Sequence, residues 1–306
     1  MPKFSIVMPC YNAAATLSET IDSIQAQTNA DWELICVDDW STDQTCAMIL
    51  EASKRDNRIK LVCNDGKGPS RGRNFGAMRI ASGEIIAFCD ADDIWEPSKL
   101  ANLARFFSDT IYDATFGQIA FFDGDPTQAK TLSTVPAGQL TIDDLLAENP
   151  VCTMSNLSIR KDSLFRFGGF DPNVVHNEDL EWLIRVVGQG GTIVGQASLQ
   201  VWYRSSATGL SANLPAMEAG RACAIRTAAQ FGSKPSRAAN AIHKRYLARR
   251  ALRMGHSRFA AAKLVSAGLM QSPTGFMTPP QRGALTLIGA LTNLVLPRSL
   301  SRAIFS

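Results

Sequence analysis

No Cys-x-x-Cys pair occurs in this 306-residue chain, and its three histidines, His176, His243 and His256, are scattered. A zinc signature of Cys/His spacing is therefore absent. The seven cysteines are an odd number, and Cys10, Cys36, Cys63 and Cys89 fall in or at the ends of expected strands. They read as buried free thiols, which suits a reducing cytoplasm. His243 and His256 read as surface residues. Long apolar runs are missing too. The longest, Gly283 to Pro297, is about 15 residues broken by Asn293 and two Thr. That is short of the ~20 a membrane-spanning helix needs. The N-terminus leads almost directly into a strand without a signal peptide, so a cytoplasmic protein is expected. Two nucleotide signatures are incomplete. Gly66 and Gly68 are followed by Arg71 where Gly-x-Gly-x-x-Gly needs its third glycine, and no Gly-Lys-Ser/Thr occurs.

Acidic residues nearly vanish from the C-terminal part. Residues 211–306 carry 14 Lys+Arg and one acid, Glu218, a net +13. Residues 1–210 carry 17 Lys+Arg and 27 Asp+Glu, a net −10. A basic tail on an acidic body suits an anionic partner: a membrane surface, nucleic acid or the body itself. The tail is poor in aromatics, with only Phe231, Tyr246, Phe259, Phe276 and Phe305. Base-stacking platforms are few, which speaks against nucleic acid.

What the chain does have is concentrated in Gly83 to Pro97, Gly-Glu-Ile-Ile-Ala-Phe-Cys-Asp-Ala-Asp-Asp-Ile-Trp-Glu-Pro. Ile85 to Cys89 reads as a strand buried on both faces, as in the middle of a parallel sheet. Asp90, Asp92 and Asp93 follow at once, and Pro97 stands where a helix should begin. Open α/β sheets bind ligands at the carboxyl ends of such strands. Clustered carboxylates repel one another, and a cation among them relieves this; hard oxygen ligands favour Mg²⁺ or Mn²⁺. A solvated acidic turn is the plainer alternative.

Around this stretch, strands are expected at Phe4 to Pro9, Trp32 to Val37, Ile59 to Cys63, Ala114 to Phe122, Cys152 to Arg160 and Thr192 to Tyr203. Helices are expected at Thr16 to Gln27, from a Ser41 or Asp43 cap to about Arg55, at Arg73 to Ala81, at Thr141 to Ala147 and from Asn177 to about Gly188. The β-α alternation calls for a doubly covered parallel sheet. Lys67, Arg71, Arg73 and Asn74, near a helix start, suit a phosphate group or form a solvated basic loop. Glu178 and Asp179 open a helix, where acids also serve simply as capping charges. From about Pro215, Leu247, Ala251 and Met254, then Ala262, Val265 and Leu269, set two amphipathic helices turning at Gly255-His256.

Five motifs in order carry a resemblance to the family 2 glycosyltransferases. They are Ser-Ile-Val-Met-Pro-Cys-Tyr-Asn (5–12), Val-Asp-Asp-Trp-Ser-Thr-Asp (37–43), Ser-Arg-Gly-Arg-Asn-Phe-Gly (70–76), Cys-Asp-Ala-Asp-Asp (89–93), and Gly-Gly-Phe-Asp (168–171) with Glu178-Asp179. The resemblance spans residues 4–210 and implies the GT-A fold, a mixed, mainly parallel sheet with helices on both faces, as the catalytic domain. Residues 211–306 lie outside it as a basic helical extension. It also implies roles. Pro9, Tyr11 and Asp39 would hold the nucleoside, Arg73 would lie near the diphosphate, Asp90 would bind the ribose or sugar, and Asp92 would hold Mg²⁺ or Mn²⁺. Asp179 would be the catalytic base, with Glu178 beside it. The donor would be a nucleotide-diphosphate sugar, a UDP-sugar by expectation, and the acceptor a saccharide or lipid-linked saccharide.

Sugar transfer needs a stabilised leaving group and a carboxylate to take the acceptor's proton, and the residues offer both. One base with no second nucleophilic carboxylate points to inversion. Two features depart from the family. The loop Tyr203-Arg204-Ser205-Ser206 lacks a metal-assisting His, leaving Arg204 for diphosphate charge. Trp182 to Arg185 lacks the Gln-x-x-Arg-Trp of processive synthases, so transfer of one or a few sugars is expected. A nucleotidyltransferase of similar fold, or a nucleic-acid-binding protein using the tail, are the alternatives. Leu285, Leu287, Ile288, Leu291, Leu294 and Val295, flanked by Arg282, Arg298 and Arg302, could bury one helix side in an anionic membrane surface, placing the protein peripherally on the inner face, or could pack on the protein body.

Overall fold

The computed structural model describes residues 3–129, 131–205, 214–254 and 258–296. Ser206, the Gly255-His256 turn, Arg298 and Arg302, all used above, lie outside these. The chain divides into two compact units, residues 1–140 with 150–206, and residues 141–149 with 207–306. The excursion at 141–149, read above as part of the body, thus groups with the basic tail.

The first unit begins β1 (Phe4–Cys10), α1 (Leu17–Gln25), β2 (Trp32–Asp38), α2 (Thr45–Arg55), β3 (Ile59–Cys63) and α3 (Pro69–Phe75). It continues with β4 (Ile85–Phe88), β5 (Ile94–Trp95), α4 (Lys99–Asp109), β6 (Ala114–Phe122) and β7 (Thr131–Leu132). After α5 (Ile142–Ala147), which belongs to the second unit, come β8 (Leu157–Arg160), α6 (Lys161–Phe167), α7 (Glu178–Gly188) and β9 (Ile193–Arg204). The strand order is β3-β2-β1-β4-β8-β6-β9-β5, with β7 on β6. β3, β2, β1 and β4 are parallel, as the β-α alternation requires. β8 then enters antiparallel between β4 and β6, β9 runs parallel to β6, and β5 pairs antiparallel with β9. The sheet is mixed and mainly parallel, the GT-A architecture.

Alternate residues of the parallel strands face opposite sides. Ile6, Met8, Leu34, Cys36, Ala87 and Cys89 pack with Leu17, Ile24, Leu100 and Leu103 in one buried cluster. On the other side Val7 and Val37 meet Gly76, where a Cβ would lie 2.6 Å and 3.0 Å from their methyl groups. That approach needs glycine and seats α3 against the sheet.

Several local details differ from the sequence expectation. α3 starts at Pro69 rather than Arg73, because Pro at the first helical position is pre-organised and Gly68 turns the chain with φ +97°. The strand expected from Cys152 starts only at Leu157, after a short 3₁₀ turn at Met154–Asn156. Cys63 is exposed rather than buried, at the end of a half-exposed strand, whereas Cys10, Cys36 and Cys89 are buried free thiols.

The second unit packs α5 with α8 (Leu214–Gln230), α9 (Arg237–Arg253), α10 (Arg258–Gln271), α11 (Pro273–Met277) and α12 (Pro280–Val295). Its core is small: Ala241, Ala248, Ala251, Ala261 and Ala290 around Leu252, Val265 and Phe276. Segment 141–149 is fastened by polar bonds. Ser236 donates from its N–H and its hydroxyl to Asp143, both at 2.7 Å. Arg221 donates to the Leu146 carbonyl at 2.9 Å. The buried Arg245 donates to the Phe276 carbonyl at 2.8 Å and lies 3.7 Å from Glu148. His243 is half-buried rather than a surface residue. Its Nε2 is enclosed without a hydrogen-bond partner, and burial, then Arg221 and Lys244, push its pKa down to about 2.

Candidate active site

Parallel register places Cys10 opposite Asp38 and Val7 opposite Phe88, so the carboxyl ends of β1, β2 and β4 deliver Tyr11, Asp39 and Asp90 along one edge. Asp39 is buried. Its N–H donates to the Cys10 carbonyl at 2.8 Å, while its carboxylate accepts from Asn64 Nδ2 at 2.7 Å and Gly68 N–H at 2.9 Å. The next residue, Trp40, is exposed with φ +64°, and its Nε1 donates to the Gly66 carbonyl at 3.1 Å. Tyr11 is exposed, with the Lys67 ammonium 5.6 Å from its ring centre. Asn12 locks the turn by accepting from Thr42 N–H at 2.8 Å and donating to Ser41 Oγ at 3.0 Å. Pro9 is half-buried, close to Gly72 of α3. These groups form an aromatic-lined edge with one fixed acceptor carboxylate.

The carboxylate cluster stands at the end of β4. Asp90 donates from its N–H to Ser155 Oγ at 2.8 Å. Its two oxygens accept from Arg73 Nη2 at 2.7 Å and from Thr153 Oγ1 at 2.9 Å. Asp93 is fully buried and accepts from the Arg204 N–H at 3.1 Å and Thr153 Oγ1 at 3.3 Å. Asp92 is half-buried, and burial together with the charge of Asp90 pushes its pKa up to about 6. Burial, then Asp92 and Asp90, also raise Asp93 well above the carboxylate range. Arg204 donates from Nε to the Asp92 carbonyl at 3.0 Å, and its Nη2 pairs with Glu19. Its guanidinium, assigned to the diphosphate above, is therefore tied to the rim of the cluster.

Glu178 and Asp179 join the same cluster. Arg73 is buried, and its Nη1 donates to Glu178 Oε1 at 3.0 Å while Nη2 holds Asp90. One guanidinium thus bridges the β4 carboxylates and the start of α7. Asp179 follows, its pKa pushed up to about 7 by burial first and by the Glu178 charge second. Beneath α7, Phe170 stacks on Trp182 at 4.6 Å and meets Phe88 edge-on at 5.4 Å, and Trp182 Nε1 donates to the Gly168 carbonyl at 2.8 Å. Of the four groups assigned to a phosphate, Asn74 is engaged with the Phe170 backbone and Arg73 with carboxylates; Lys67 and Arg71 are exposed.

Sequence reading missed three supports of the cluster. Thr153 and Ser155 arrive from the 3₁₀ turn before β8, a position with no motif. Lys99 is fully buried beneath the cluster, donates to the Ser155 carbonyl at 2.6 Å and lies 4.3 Å from the Trp95 ring centre; burial pushes it down to about 7. One signal for it existed: Lys99 shares a helical stripe with the buried Leu103 and Phe107.

Among the described residues no group of three or more His, Cys, Asp or Glu is placed to hold a metal. The donor set nonetheless fits a hard cation. Asp92 offers carboxylate oxygens in a crowded acidic cluster, where burial first and the charge of Asp90 second raise its pKa, and Mg²⁺-type sites commonly use one or two carboxylates with substrate phosphates and water.

Comparison with known proteins agrees with this geometry. The model of the family "Glycosyl transferase family 2" matches residues 5–167. The Escherichia coli enzyme UDP-Glc:alpha-D-GlcNAc-diphosphoundecaprenol beta-1,3-glucosyltransferase WfgD is 33% identical over 211 residues, covering 68% of this chain and 79% of the relative. The Pyrobaculum calidifontis mannosyltransferase PcManGT, solved with GDP-Man and Mn²⁺, aligns with a TM-score of 0.58 at 19% identity, over 99% of this chain and 87% of that one. S. aureus TarS with UDP-GlcNAc aligns with a TM-score of 0.58 at 18% identity, over 95% and 80%. The family match covers more than half of the chain, and this chain belongs to glycosyl transferase family 2, as an enzyme that transfers sugar on a GT-A fold.

Proposed function

We propose that this enzyme moves a sugar, with inversion, from a UDP-sugar to a hydroxyl of a lipid-linked saccharide in surface polysaccharide biosynthesis, with Mg²⁺ or Mn²⁺ bound at Asp92. The observation that supports the reading is the Arg73 bridge between Asp90 and Glu178, which joins the carboxylates after β4 to the acid at the start of α7; we assign the first to the donor side and the second to the acceptor side. The nucleoside lies along Pro9, Tyr11 and Asp39. The Asp39 carboxylate, fixed by Gly68 and Asn64, accepts the ring imide N–H that uracil presents and cytosine lacks. Asp90 contacts the ribose or sugar. A metal at Asp92, when bound, supplies positive charge against the leaving diphosphate.

Asp179 removes the acceptor hydroxyl's proton as its oxygen attacks the anomeric carbon. Its raised pKa, about 7, suits a base working near neutrality. Glu178 is held by Arg73, which keeps the start of α7 in register with the donor. The relative named for a diphosphoundecaprenol acceptor supports a lipid-linked substrate and hence a peripheral place at a membrane. The test is a panel of UDP-, GDP- and dTDP-sugars, each with Mn²⁺, Mg²⁺ or chelator, scored for nucleotide release with and without an undecaprenyl-linked saccharide. UDP-sugar turnover that is lost in chelator is expected. Turnover indifferent to chelator removes the metal, and preference for another nucleotide removes the UDP assignment.

A further inference from the structure

We propose that the outer ridge of α12 is a docking surface for an anionic lipid bilayer. The inference rests on the function proposed above only in that the acceptor there is held by a lipid; its own support is the shape and charge of the second unit.

α12 has two faces. Gly283, Thr286, Gly289, Ala290 and Asn293 point inward, with Thr286, Ala290 and Asn293 almost without exposure. Leu285, Ile288, Leu291 and Val295 stand 71%, 55%, 56% and 80% exposed. Their spacing of three, three and four residues keeps them on one stripe roughly 120° wide and ~15 Å long. A helix side turned to water is normally polar, yet no charged residue occurs between Gly283 and Leu296. α10, which packs on α12, carries exposed Phe259 and Met270 of its own. No helix among the described residues is long and apolar enough to cross a membrane, so such a ridge would lie in the plane of the headgroups.

Charge selects the occupant. The second unit, residues 141–149 and 207–306, holds 14 Lys+Arg against four acids, Asp143, Asp144, Glu148 and Glu218, a net +10. Two copies meeting through this same ridge would set like charge against like charge, whereas an anionic bilayer offers complementary charge and an apolar boundary together. Leu287, grouped above with the membrane-facing residues, packs on the alanine core instead, so the ridge is narrower than the sequence suggested.

The test is flotation of the full chain with vesicles of phosphatidylcholine alone or mixed in equal parts with phosphatidylglycerol, alongside calorimetry of UDP binding. Binding to the mixed vesicles at low salt is expected, falling roughly tenfold or more in 1 M salt, where the Debye length shrinks to about 3 Å. The double variant Leu285→Gln, Ile288→Gln changes only exposed positions, so it should float roughly tenfold less while binding UDP as the wild type does. Wild-type flotation by this variant overturns the proposal. So does equal binding to phosphatidylcholine alone, or a vesicle-indifferent chain that dimerises and loses the dimer in the variant. Vesicle binding by a chain that binds no UDP leaves the docking intact and overturns the UDP-donor reading.

Discussion

Asn74 holds both backbone polar groups of Phe170: Nδ2 donates to the Phe170 carbonyl, and the Phe170 N–H donates to Oδ1, each at 2.8 Å. A Cβ on the preceding Gly169 would fall 2.2 Å from that same Oδ1, so the contact also needs glycine there. Through it, α3, which carries Arg73, and the turn leading to α7, which carries Glu178 and Asp179, keep a fixed separation.

Asn74→Ala removes both bonds and leaves the Phe170 N–H and carbonyl in a half-buried turn. We expect a loss of ~1–3 kcal/mol in chemical denaturation, the cost of unsatisfied groups. Turnover should fall while UDP affinity holds, because the edge at Tyr11 and Asp39 is untouched. Equal losses in both would place Asn74 in donor binding instead.

Asp92→Ala should abolish the dependence of UDP binding on Mn²⁺ and lower turnover by about 10²-fold or more, in line with other losses of leaving-group charge stabilisation. Calorimetry of UDP with and without the ion reads the first effect directly. A variant that still gains affinity from Mn²⁺ would assign the ion elsewhere.

Asp179→Asn keeps the shape of the side chain but accepts no proton. Donor affinity should survive, and transfer should fall by roughly 10²–10⁴. With Asp179 as the base, the wild-type rate should show a pH limb of defined sign. The base works ionised, its pKa is pushed up to about 7, and so turnover rises with pH and levels off above that value. A limb that persists in the variant would belong to another group, and Glu178→Gln would be measured next.

Glu33, buried in β2, is gripped by Lys60 at 2.7 Å, Ser5 at 2.6 Å and Ser82 at 2.7 Å. Burial alone would raise its pKa; Lys60, then Ser5 and Ser82, outweigh this and lower it to about 2. A depressed carboxylate stabilises the fold above its unfolded pKa of about 4.5 and loses that contribution as pH falls toward 2. We expect about 2 kcal/mol, after allowing for the half-exposed Lys60. The stability gap between wild type and Glu33→Gln should therefore narrow across that window in acid titrations. A constant gap would mean that packing, not charge, sets its value.

The sequence makes the first half of the sheet legible because parallel strands buried on both faces leave continuous apolar runs, as in Ile85 to Phe88. It makes the carboxylates legible because Asp90, Asp92 and Asp93 are contiguous with such a run. Three things stayed hidden for a physical reason. Thr153 and Ser155 meet the Asp90 to Asp93 cluster only once β8 has inserted antiparallel beside β4, and strand order leaves no local pattern; the stripe that holds Lys99 marks it as buried but not as a partner of Ser155. The engagement of Arg73 with Glu178 spans more than a hundred residues, and that with Asp90 crosses from α3 to the end of β4. Cys63 looked buried because strands usually are, but β3 is the outermost strand of the sheet.

The excursion at 141–149 bears on how this chain can be recombined. Because the polypeptide leaves the first unit after Leu140, returns at Pro150 and leaves again after Ser206, the two units are joined by three covalent crossings rather than one. A chimera that swaps residues 207–306 for a relative's tail would orphan Asp143, the Leu146 carbonyl and Glu148, whose partners Ser236, Arg221 and Arg245 go with the tail. The exchangeable cassette is discontinuous, and only grafts that carry both pieces keep its internal bonds.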